Sequence, residues 1–135
     1  MLTIVGIDHI VLRTNKLKQM LYFYCTVLGC KIERETSSET GLTQLRAGNA
    51  LIDIVDVESE LGRAGGGDPT STENNLDHFC LLLASISEQD IREHFKRANI
   101  ELPKFESRYG SQGYGFSVYV NDPQGNTVEI RSQIA

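Results

Sequence analysis

Two histidines and two carboxylates stand at matched places in the two halves of this 135-residue chain. His9 lies in Asp8-His9-Ile10-Val11-Leu12 and His78 in Asp77-His78-Phe79-Cys80-Leu81, while Asp53 lies in Ile52-Asp53-Ile54 and Glu129 in Val128-Glu129-Ile130. Neutral imidazole together with carboxylate is a donor set for a divalent metal such as Ni, Zn, Mn or Fe(II). A single histidine on a strand is ordinarily a surface or hydrogen-bonded residue, and the repetition is what lifts these two above that reading. Glu129, set in an apolar strand, requires a cation or a donor beside it wherever it is buried.

The elements that must position these side chains can be read from periodicity. Val5 to Arg13 alternates as a strand, with Ile10 and Leu12 on one face and His9, Val11 and Arg13 on the other. Thr14 and Asn15 are expected to cap a helix whose apolar positions Leu17, Met20, Leu21, Tyr24, Val27 and Leu28 recur at threes and fours, and Gly29 ends it. Strands are expected over 30–36, 42–47 and 50–55, the last two joined by a Gly48-Asn49 hairpin. The glycine-rich, polar stretch 57–75 reads as a flexible linker, because its Gly65-Gly66-Gly67 lacks the Gly-Lys-Ser/Thr and the strand-to-helix setting of a phosphate loop.

The second half repeats the order. A strand is expected over 76–84, then a helix capped by Ser87 with Ile91, Phe95 and Ala98 buried, and His94 exposed on it. An edge strand follows over 102–107, since Pro103 would break a central ladder. A glycine-rich loop over 109–115 is next, then a strand over 116–120, the turn Asn121-Asp122-Pro123-Gln124-Gly125, and a last strand over 127–131. The expected class is therefore α+β, two βαβββ units over about 4–56 and 76–132 in a single domain. In four strands the residue sharing the helix-facing side is apolar, whereas His9, Asp53, His78 and Glu129 all take the opposite side.

Composition narrows the setting. Hydrophobic content of 40% with no long apolar run excludes a transmembrane segment, and because the apolar start lacks a basic region, no signal peptide and a cytoplasmic location are expected. A net charge of −5 with scattered Lys and Arg argues against nucleic acid as a partner. Three cysteines in no metal or redox spacing read as reduced thiols. Cys80 shares the face of His78 and is counted among the candidate substrate contacts.

The pattern Asp-His-Ile-Val-Leu near the start, Phe23-Tyr24 with Leu28-Gly29, the second histidine in Leu76-Asp77-His78, and Asp122-Pro123 with Gly125-Asn126 and Glu129 resembles the vicinal oxygen chelate superfamily over essentially the whole chain. That superfamily includes glyoxalase I, extradiol dioxygenases, fosfomycin-resistance enzymes and bleomycin-binding proteins. The resemblance implies a pair of βαβββ units forming a metal-holding cup, within one chain or exchanged across a homodimer, that acts on a small-molecule substrate. Carried over by position, it implies His9, His78 and Glu129 as ligands, and places Asp53 where glyoxalase I has a glutamate, shorter by one methylene or about 1.5 Å of reach. It implies a glyoxalase-type lyase or isomerase with Glu129 as base, working by proton transfer next to a carbonyl on an oxygenated, thiol-conjugated substrate. Arg13 stands where that pattern has an arginine for a substrate carboxylate, and Val57 where it has an asparagine. Tyr119 faces the cup as a possible donor. The alternatives are an Fe(II) extradiol dioxygenase, which would need a further cleft histidine, and a non-catalytic binding protein.

Overall fold

A computed structural model describes residues 1–133, and the chain divides into two compact units, Met1–Glu73 and the stretch from Asn74 onward. Each unit is a four-stranded sheet with the same order of pairing. In the first, β1 (His9–Thr14) pairs parallel with β4 (Ala50–Asp56), which pairs antiparallel with β3 (Leu42–Ala47), which pairs antiparallel with β2 (Lys31–Glu35). In the second, β5 (Phe79–Leu83) pairs parallel with β8 (Thr127–Ser132), then β7 (Gly113–Asn121) and β6 (Glu106–Gly110) follow antiparallel.

The alternation read from the sequence sets which face is buried. In the first unit Leu12, Leu45, Ile52 and Ile54 share one face and are buried with Met20, Phe23, Tyr24 and Val27 of the helical segment. In the second, Val118, Val120, Val128 and Ile130 are buried with Ile91 and Phe95 of α3 (Glu88–Arg97). Burying such side chains, at about 25 cal/mol per Å² of apolar area, is the main force holding each helix to its sheet. Ser87 caps α3 as expected, its side chain accepting from the Asp90 amide at 3.1 Å.

Several elements depart from the sequence reading. The first strand begins at His9 rather than Val5, and Leu2, Ile4, Val5 and Ile7 are exposed. The first helix is α-helical only over α1 (Leu17–Leu21) and continues as a π-helix over Tyr22–Val27, with the Leu28 amide bonded to the Phe23 carbonyl at 2.9 Å. The wider turn leaves the neighbours Phe23 and Tyr24 both buried, their rings edge to face at 5.1 Å. Neither Thr14 nor Asn15 is the cap: Lys16 occupies the helix start, and Thr14, two residues before it, accepts from its amide. Gly29 does end the segment, at φ +84°.

The stretch 57–75 is not wholly a linker. Ser59 caps a short helix, α2 (Glu60–Ala64), by accepting from the Gly62 amide, and the Val57 amide bonds the Thr14 carbonyl. Stretch 109–115, expected as a loop, is instead the closed end of the β6–β7 hairpin, with Gly110 opposite Gly113 and a turn over Ser111-Gln112. Pro103 lies ahead of β6, which is the sheet edge.

Candidate active site

In the second unit the β8 register carries the chemistry. Glu129 is directly opposite Cys80 on β5 and Tyr119 on β7, so all three side chains share the face turned from α3. His78, just before β5, brings its Nε2 to 3.3 Å from the Glu129 carboxylate. Its other ring nitrogen donates to the Asp77 carboxylate at 2.6 Å. In the tautomer that donates from Nδ1, a lone pair on Nε2 faces Glu129. Two acceptors that face each other in this way need a cation or a proton between them. Two ligands held near 2.1 Å by one metal ion stand about 3 to 3.5 Å apart, which the His78–Glu129 separation matches. The donors present therefore fit a divalent metal.

Glu129 is only 6% exposed. Tyr119 lies edge-on to the His78 ring at 5.2 Å, and the Arg108 guanidinium covers its other side at 4.5 Å. Crowding by surrounding atoms pushes the Cys80 thiol up to about 12; the charge of Glu129 and a hydrogen bond to it act in the same direction, and Arg131 opposes them. Cys80 is thus a protonated thiol beside the carboxylate and not a ready nucleophile.

The first unit holds the matched pair in a looser form. The register sets Val11 opposite Asp53, which places Asp53 on the face of His9. Asp53 is buried, at 3% exposure, and accepts from the Gln44 amide at 3.2 and 3.3 Å. His9 is exposed and donates from Nδ1 to Asp8 at 2.6 Å, the same support that Asp77 gives His78. The hydrogen bond to Asp8 raises the His9 imidazole above 6.5, with slight burial opposing and the charges of Asp53 and Asp8 reinforcing it. The donors occur as one pair in each unit, and among the described residues no group of three or more His, Cys, Asp or Glu side chains is arranged for a metal ion.

Arg13 is engaged elsewhere. Its Nη2 donates to the carbonyls of Gly62, Gly66 and Gly67 at 3.1, 2.7 and 2.9 Å, tying the stretch after α2 to β1. A Cβ on Gly65 would stand 2.4 Å from Arg13 Nε, so a side chain there would displace the guanidinium from its present position. His94 is exposed on α3 against Phe95, away from the sheet face.

Some residues were not assigned a role by sequence. Asp8 and Asp77 precede each histidine, and the repeated Asp-His pair was the signal for them. Arg131 and Ser117 fall on the Glu129 face by the same alternation that located Glu129. Their register shows a further relation: Arg13 on β1 is opposite Val55 on β4, whereas Leu82 on β5 is opposite Arg131 on β8. Each unit has one arginine at that level of its sheet, but on opposite members of the parallel pair.

Comparison with known proteins agrees with this geometry. Residues 6–130 match the Glyoxalase/Bleomycin resistance protein/Dioxygenase superfamily, and the chain belongs to it. A structure from the mobile metagenome of V. Pseudocholerae superposes with a TM-score of 0.77 at 24% identity, covering 100% of this chain and 99% of that one. Lactoylglutathione lyase from Agrobacterium tumefaciens gives 0.68 at 20% identity, covering 95% and 93%, and the fosfomycin resistance protein FosX from Listeria monocytogenes gives 0.71 at 19%, covering 96% and 91%. These likenesses establish the shared fold. No curated protein matches the sequence.

Proposed function

We propose that the chain is a metal-dependent lyase or isomerase of glyoxalase type, acting on a small oxygenated substrate by proton transfer next to a carbonyl. The observation that carries this reading is the facing pair of acceptors, His78 Nε2 and Glu129 Oε1 at 3.3 Å, on a ring oriented by Asp77. His78 and Glu129 are the proposed ligands in the second unit, and His9, with Asp53 in a weaker role, supplies the first unit's donors. A divalent metal, when bound, supplies Lewis-acid polarisation of substrate oxygens. Glu129 is the proposed base, since it is the carboxylate at the ligand pair and its burial leaves it few competing water contacts. Tyr119 is positioned beside His78 to donate to a substrate oxygen, and Cys80, protonated, lines the same face.

A homodimer is part of the proposal: β1 and β5 are each one of the two outer strands of their sheets, and a strand edge is a ready surface for a second chain. Elemental analysis of the purified protein tests the central claim. One equivalent of Ni or Zn, lost in Glu129→Gln together with turnover, is the expected result. Absence of stoichiometric divalent metal, with no thermal stabilisation on adding it, would sink the reading in favour of a non-catalytic binding protein. Iron together with oxygen uptake on catechols would move it to a dioxygenase.

A further inference from the structure

Beside the His78–Glu129 pair lies a second set of polar groups that the proposed proton transfer does not use. Arg131 follows Glu129 by two residues on β8 and so projects from the same face. It is only 8% exposed. Among the described residues no carboxylate lies within ion-pair distance of it, and its single hydrogen-bond acceptor is the Gly113 carbonyl at 3.2 Å. A guanidinium carries five donors, so most of its capacity is unused.

The hairpin holds this side chain in place. A Cβ on Gly110 would stand 2.2 Å from Nη1 and one on Gly115 would stand 2.4 Å from Nη2. The guanidinium therefore lies against bare backbone on two sides and points its remaining donors along the face. Ser117 is directly opposite Arg131 in the β7–β8 register. Its side chain is 0% exposed, and its hydroxyl has no hydrogen-bond partner. The Ser117 hydroxyl is an unsatisfied group sealed inside the fold, whereas the guanidinium of Arg131 opens on a concavity where a further group can reach its free donors.

One kind of ligand satisfies the guanidinium. An oxyanion offers only acceptors and accepts two parallel bonds from it. The space for it is a concavity of about 310 Å³ lined by His78, Cys80, Gly110, Glu129 and Arg131, a size suited to a small metabolite. Glu129 repels the charged end, so the ligand is oriented with its oxyanion at Arg131 and its uncharged oxygens toward His78.

The geometry points to an oxyanion subsite formed by Arg131 at the edge of this concavity, so that the substrate carries a negatively charged end, carboxylate or phosphoryl, about 7 Å along the strand from the reacting oxygens. Its place in the reaction rests on the proposed metal-dependent activity, but the subsite itself requires no metal. The test is therefore made on metal-free protein. Malonate, inorganic phosphate and the neutral malonamide are titrated separately, following amide resonances of the Gly110–Gly115 hairpin. The expected result is saturable binding of an oxyanion, absent with malonamide and weakened about tenfold or more in Arg131→Gln. Should Arg131→Gln not fold, Arg131→Lys, which keeps the charge and loses the fork, takes its place with the same expectation. Binding of malonate without phosphate assigns a carboxylate end, and the reverse a phosphoryl end. Equal shifts with malonamide, no oxyanion binding, or affinity unchanged in the arginine variant would overturn the subsite, whatever the metal content proves to be.

Discussion

At the scale of single residues, the aspartate before each histidine decides what the imidazole can do. Asp77 accepts from Nδ1 of His78 and so turns Nε2 toward Glu129, the support that a histidine ligand would need from a neighbouring carboxylate. Asp77→Asn should lower divalent-metal affinity by about 10- to 100-fold in calorimetric titration while leaving the fold intact. Asp8 raises His9 above 6.5. A raised value in the folded state means that folding favours the protonated ring. The contribution of the Asp8–His9 contact to stability is therefore complete below about 6.5 and is lost as pH rises through the folded value. An NMR titration should place the His9 midpoint above 6.5, and Asp8→Asn should bring it down. The positions of these residues were legible because strand alternation assigns faces and the Asp-His pair occurs twice. The idle guanidinium of Arg131 and hydroxyl of Ser117 were not, because whether a polar group has found a partner depends on what the hairpin brings near it.

At the scale of elements, the sequence conveyed alternation well, caps at Ser87 but not at Thr14 or Asn15, and spacing within turns poorly. Ser87 was expected as a cap and is one; Ser87→Ala should cost about 1 kcal/mol in chemical denaturation. The π-helical segment was hidden, since its apolar residues satisfy a 3.6 period almost as well. Stretch 109–115 resembled a loop because its glycines hold little strand propensity, yet those at 110 and 115 are where Arg131 is accommodated. The stretch after Val57 resembled a linker because its three consecutive glycines suggest freedom, whereas Arg13 binds two of their carbonyls. Gly62 is packed so that a Cβ would stand 1.9 Å from the Asp56 carbonyl. Gly62→Ala should destabilise the protein by about 1 to 3 kcal/mol, visible as a lowered denaturation midpoint with unchanged slope.

At the scale of the whole molecule, no helix among the described residues is long and apolar enough to cross a membrane, and the duplicated unit is the organising fact. If two copies associate through strand edges, sedimentation equilibrium should give twice the mass of one chain, falling to a single chain when a proline is set in the outer strand. The duplication is unequal at one place. Each sheet carries one arginine at the same level, from the first strand in one unit and from the last in the other. The halves are therefore not interchangeable parts. A recombinant joining the first strand of the early half to the last strand of the late half would set two guanidiniums side by side, and the reciprocal recombinant would have none. Exchange of a single strand between the repeats would therefore unbalance the charge of both hybrid sheets.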